Sequence, residues 1–204
     1  MRWIVLATAL GWATLASADR IVFVPTGSKL LMNMARIEFQ TQLTRKREDN
    51  RVYLGYGLTK EIEAEFVLDR IAPNARLGTM NLSYTYLGPI IDTSPGVSIG
   101  VQDIMDRTRE GRLYYIAFTY RMGLDGRYNS GVPLELTLGG GFGHRGGLFT
   151  GVVVPLTWQF RGFAEHDSRR ITTGFEFRPI RGVGLRLMWR EREPLASVRY
   201  VTRF

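Results

Sequence analysis

His166 and Ser168 stand two residues apart with Asp167 between them. On an extended strand, side chains alternate between faces, so a spacing of two sets imidazole and hydroxyl side by side. A neutral imidazole placed there could take the hydroxyl proton and make a nucleophile, given a third group to orient it. Here, however, Glu165 to Arg170 reads as a turn rather than a strand, so the expectation is no catalytic residue and no enzyme. His144, the other histidine, reads as a loop residue. Two separated histidines with scattered carboxylates make no zinc pattern, and no metal or cofactor is expected. The Gly139-Gly140-Gly141-Phe142-Gly143 run sits among strand signals and not before a helix, so it is no phosphate cradle.

A second chemistry is ionic. Arg36, Glu38, Glu63, Glu65, Glu176, Arg186, Arg199 and Arg203 each alternate with apolar neighbours, which puts them together on one face of their strands. Basic residues, nearly all arginine, also gather between the strands: Arg45, Lys46, Arg47, Arg107, Arg109, Arg145, Arg169, Arg170 and Arg192. Guanidinium groups bind phosphate and carboxylate in paired, charge-assisted hydrogen bonds, so these form a candidate anion-binding rim. A solvated loop edge is the plain alternative for any one of them.

The elements that carry these groups are strands. Ala35, Ile37 and Phe39 oppose Arg36, Glu38 and Gln40; Ile62, Ala64, Phe66 and Leu68 oppose Glu61, Glu63, Glu65 and Asp69. Leu82, Tyr84 and Tyr86 oppose Asn81, Ser83 and Thr85, and Trp158 and Phe160 oppose Gln159 and Arg161. The last stretch repeats the pattern through Val183, Leu185, Leu187 and Trp189, then Ala196, Val198 and Tyr200, to Phe204. From Met34 on, roughly twelve such runs follow one another, with a length of about 8–12 residues that suits a tilted membrane crossing. A soluble sandwich would alternate too, but aromatics on nearly every apolar face would crowd its core. A barrel turns that face to lipid, with Tyr, Trp and Phe as interface anchors. The expected fold is all-β: an antiparallel, up-and-down transmembrane β-barrel of about 12 strands over 34–204. The odd-numbered turns carry most of the charge and several even ones are tight, which would set the charged rim outward and the chain ends in the periplasm.

Within that barrel the charged face lines the lumen. The last strand must pair with the first, bringing Arg199 and Arg203 towards Glu38 and Arg36. Charges of both signs favour a packed or nearly closed interior. Glycines at 55, 57, 100, 139, 141 and 184 leave room for large side chains or mark wall curvature.

Export is the second expectation. Arg2, the apolar run Trp3–Leu15 and Ala16-Ser17-Ala18 are ordered as a secretory signal over 1–18, with a lead-in segment over 19–33. Removing Arg2 lowers the formal net charge from +8 to +7. An exported basic chain meets anionic lipid, lipopolysaccharide phosphates or acidic polysaccharide rather than nucleic acid. The absence of cysteine leaves sheet hydrogen bonds and packing to hold the fold.

Three resemblances bear on these readings. The ending on Phe204 after alternating Val198 and Tyr200 resembles the final strand of bacterial outer-membrane barrels, which implies that Tyr200 and Phe204 form a signal for the barrel assembly machinery. Gly100-Val101-Gln102-Asp103-Ile104, Tyr114 to Tyr120, the Gly139–Gly143 run, Leu148-Phe149-Thr150-Gly151-Val152 and Val24-Pro25-Thr26-Gly27 resemble the YjbH-like outer-membrane barrel family. That resemblance implies a non-enzymatic envelope protein with a structural or surface-polysaccharide (exopolysaccharide) role. A narrow, porin-like pore for charged oligosaccharides or small solutes is the alternative. His166 and Ser168 are also similar in spacing to a pair in some outer-membrane lipid hydrolases, but the downstream Asn of those enzymes is missing, so hydrolysis is a third reading.

Overall fold

A computed structural model of the chain describes residues 20–44, 50–72, 75–108, 110–123 and 132–204. The expected signal segment, Asp19, the basic run Arg45-Lys46-Arg47 and Arg109 lie outside the described residues.

Twelve strands are present among the described residues: β1 Met34–Gln42, β2 Asn50–Gly57, β3 Ile62–Ala72, β4 Ala75–Leu87, β5 Gly96–Gln102 and β6 Leu113–Met122. The second half adds β7 Leu134–Gly143, β8 Gly147–Pro155, β9 Phe160–His166, β10 Ile171–Phe177, β11 Val183–Arg190 and β12 Glu193–Arg203. Each pairs antiparallel with its sequence neighbours, and β1 pairs with β12, so the sheet closes and has no free edge. No helix occurs among the described residues. The barrel expectation is met.

Alternation decides what faces outward. In β1, Ile37 and Phe39 are exposed while Arg36, Glu38 and Gln40 are buried. Tyr84, Tyr114, Ile116, Phe118, Phe175, Leu187, Trp189 and Tyr200 are likewise exposed, giving an apolar outer wall. In water such a surface would associate; against hydrocarbon it is at rest. At closure Glu38 lies opposite Arg199 and Met34 opposite Arg203.

One strand begins later than its periodicity implies. Trp158 lies in the turn before β9, not on the strand, because Thr157 Oγ1 accepts hydrogen bonds from the backbone N–H groups of Gln159 (3.2 Å) and Phe160 (3.0 Å). The short polar side chain offers the backbone a local turn in place of the ladder. Thr59 does the same before β3, accepting from Glu61 and Ile62 at 3.0 Å each.

Candidate functional site

The lumen is where polar side chains converge, and the lead-in segment fills it. Residues from Arg20 to Pro25 form a small hairpin, with a bridge between those two and Ile21 N–H donating to Val24 O at 3.1 Å. Ile21, Val22, Phe23 and Val24 are all buried. The first three pack against Val153, Phe163, Met188 and Leu195; Val24 packs against Leu113, Tyr115, Ala117 and Phe149. Leu30 then packs on Met34 at the end of the barrel where the chain enters β1. Apolar strand residues that break the alternation by pointing inward thus have a partner.

A hairpin inside a barrel has backbone groups that no ladder satisfies, and the wall supplies partners. Glu165, buried on β9, accepts from three successive amides: Val22 (3.0 Å), Phe23 (3.0 Å) and Val24 (3.2 Å). Consecutive N–H groups converging on one anion form a backbone nest. Further along, Thr119 Oγ1 accepts from Gly27 N–H at 2.6 Å, Ser98 Oγ donates to Thr26 O at 2.7 Å, and Glu63 accepts from Leu30 N–H at 2.8 Å. A Cβ on Gly27 would lie 2.3 Å from Gly96 O, so glycine is what lets the chain beyond the hairpin touch the wall.

The glycines singled out above provide room. A Cβ at Gly139 would strike the Phe149 ring, at Gly100 the Tyr115 hydroxyl, at Gly141 Leu113, and at Gly57 the Leu31 carbonyl.

Two ionic networks flank the hairpin. In mid-lumen, Glu176 accepts from Arg161 (2.9 Å), Arg178 (2.6 Å), Arg186 (3.0 Å) and Arg199 (2.7 Å). Arg186 also reaches Glu38 at 3.3 Å, Arg20 reaches Glu38 at 3.2 Å, and Arg36 pairs with Glu65 and, at 3.6 Å, with Glu63. The second network closes the end of the barrel opposite Phe204. There Glu110, from the β5–β6 loop, is held by Arg51 (3.2 Å), Arg190 (2.6 Å) and Arg145. Arg51 also meets Asp69 at 3.2 Å, and Arg190 meets Asp167. Burial alone would raise the Glu110 pKa, but the three arginines hold it well below the usual carboxylate range. Asp103 anchors the same loop: it accepts from Thr79 Oγ1 (2.6 Å), Arg107 N–H (2.9 Å) and Thr108 N–H (2.7 Å), and those bonds lower its pKa against the effect of burial.

Voids of about 40 Å³ and 30 Å³ lie beside Arg20, room for a water or two and not for a solute.

Most of the residues expected to line the lumen do meet there: Arg36, Glu38, Glu63, Glu65, Glu176, Arg186 and Arg199 are buried. Arg203 does not; it is exposed at the last position of β12, where the wall ends. Of the rim arginines, Arg107, Arg169, Arg170 and Arg192 are exposed. Arg145 is 6% exposed and turned into the mouth, because Glu110 and Gln102 draw its guanidinium inward. Tyr200 and Phe204 are exposed on and beyond β12. Ser168 sits at φ +74 in the β9–β10 turn, and its hydroxyl donates to Arg145 O at 3.3 Å. Among the described residues no hydrogen bond joins it to His166. No cluster that could hold a metal occurs among the described residues.

Sequence reasoning missed Arg20, Arg51, Glu110, Arg161, Glu165, Asp167 and Arg190. Arg51, Arg161, Glu165 and Arg190 share the inward parity of their strands, a signal that was present. Arg20 and Glu110 lie off the strands, where parity says nothing.

No family model matches the chain, and no curated protein sequence does. Solved structures do. The Acinetobacter baumannii outer membrane protein Omp33 superposes with a TM-score of 0.54 at 9% identity, covering 85% of this chain and 99% of that one. The KdgM porin superposes with a TM-score of 0.51 at 12% identity, covering 84% and 99%. The likeness is one of fold.

Proposed function

We propose that this chain is a non-enzymatic bacterial outer-membrane β-barrel, porin-like in architecture, whose lumen is shut at rest by its own residues 20–31. The observation that carries the reading is the docked hairpin, with three successive amides on Glu165 and four apolar side chains buried against the inner wall. An aromatic-rich outer face and fold neighbours described as an outer membrane protein and a porin support the location. Export by residues 1–18, insertion by the barrel assembly machinery through Tyr200 and Phe204, and a mouth facing outer-leaflet lipopolysaccharide belong to the same reading. So does an envelope-structural or surface-polysaccharide role of the YjbH-like kind, with anionic polysaccharide as partner.

A second reading, a narrow pore for charged oligosaccharides or small solutes, is favoured by one feature. The obstruction is a separate segment and not part of the wall, so its departure would leave the barrel intact. Planar-bilayer recording tests both. The full chain is expected to be silent, and a variant lacking 20–31 to conduct steadily. Steady conductance from the full chain would mean an open pore. A folded deletion variant that stays silent would leave the structural role alone.

A further inference from the structure

We propose that the mouth at the β5–β6 loop, opposite the end that carries Phe204, is an oxyanion-binding site, in which Glu110 occupies the place of an incoming carboxylate or phosphate group. Three guanidiniums from three distant parts of the wall, Arg51 on β2, Arg145 beside β8 and Arg190 on β11, converge on the one carboxylate. Both of its oxygens are used: Arg51 and Arg190 meet Oε1, and Arg145 meets Oε2. Paired N–H groups around a planar or tetrahedral oxyanion are what guanidinium is shaped to give.

The site is built before any ligand arrives. Arg190 stacks with its guanidinium carbon 4.0 Å from the centre of the Phe23 ring, and Arg51 lies 5.8 Å from it, so the hairpin tip forms the floor. Asp167 and Asp69 hold the outer nitrogens of Arg190 and Arg51, and Gln102 holds Arg145. Orientation is therefore set in advance, which lowers the entropic cost of binding. The site also has donors to spare: among the described residues, the buried Nε atoms of Arg145 and Arg190 have no hydrogen-bond partner. Those are unmet donors on two of the three guanidiniums, and a second oxyanion oxygen would satisfy them.

Glu110 differs from the rest of the cluster in its attachment. The three arginines are carried on, or directly beside, paired strands, whereas Glu110 belongs to the β5–β6 connection, and its side chain is 19% exposed. It can swing out without breaking a ladder hydrogen bond. A ligand exchanging with it meets three cations and leaves Glu110 free in solvent.

Isothermal titration of the detergent-solubilised full chain tests this, with pyrophosphate and citrate as soluble titrants and purified lipopolysaccharide in mixed micelles as a third arm. Glu110→Gln removes the competing charge and should bind at least one titrant about tenfold more tightly than the parent. Adding Arg190→Gln should abolish that gain. If the gain is confined to lipopolysaccharide the source is a headgroup phosphate, and if it is seen with pyrophosphate or citrate the source is a free solute. Equal affinities in all three chains, or no binding at millimolar concentration, overturn the proposal. Should Glu110→Gln fail to fold, Arg145→Gln in the parent chain must weaken pyrophosphate and citrate binding, and unchanged affinity is the overturning result.

Discussion

The wall from β5 to β9 and the wall from β10 round to β3 follow the same alternating rule, yet their inner faces are filled in opposite ways. On the first, Ser98, Ala117, Thr119, Thr137, Gly139 and Gly151 present little bulk, and the lead-in lies against Ser98, Ala117, Thr119 and Gly151. On the second, Glu176, Arg186, Arg199, Glu38, Arg36, Glu63 and Glu65 are long, charged and mutually paired. A lining of small residues needs a body to fill the space; a lining of opposite charges fills and neutralises itself. The hairpin bridges the two: it lies on the small residues of the first side, and on the second it packs against Met188 and Leu195 and pairs Arg20 with Glu38.

That contrast can be broken at the charged side with the largest effect. Glu176→Ala leaves four arginine contacts without their carboxylate, and uncompensated buried charge costs about 3–5 kcal/mol. The expected result is a clear fall in the temperature at which the folded band disappears on a heat-modifiability gel. On the hairpin side, Glu165→Ala should cost about 1–3 kcal/mol in hairpin docking, since it strands buried amides, and leave the barrel's own unfolding temperature nearly unchanged. Its signature is intermittent conductance in planar bilayers. Gly27→Ala should act similarly and less strongly, by forcing a methyl against the Gly96 carbonyl; protease sensitivity of the lead-in reads it without reference to conductance.

The smallest effect is that of mild acid. Glu110 and Asp103 have pKa values depressed by folding. Their contribution is complete above the ordinary carboxylate range and is lost as pH falls through the lowered values. The mouth should hold through weakly acidic pH and loosen only below that range. Hydrogen exchange in the β5–β6 loop measures it, and loosening near neutral pH would contradict the assignment.

The outer face was readable because each position reports its own orientation. Ile37, Phe39, Tyr84 and Tyr200 needed nothing beyond parity. Trp158 was misread because parity cannot see a Thr157 side chain capping a turn. Arg145 looked like rim because its loop position was legible while its partner Glu110, 35 residues away, was not. The lead-in carried a cue in its apolar residues, but nothing local says that their partners are Val153, Phe163 and Leu195.

The amino-acid sequence alone determined which side chains face outward and which face inward, because alternation along a strand follows from local backbone sterics. Tertiary structure alone decided what those inward groups meet. Closure of β12 on β1 sets which carboxylate lies across from which arginine, and whether the space left between them admits residues 20–31. Such contacts span more than a hundred residues, as between Val22 and Glu165, and no periodicity reaches that far.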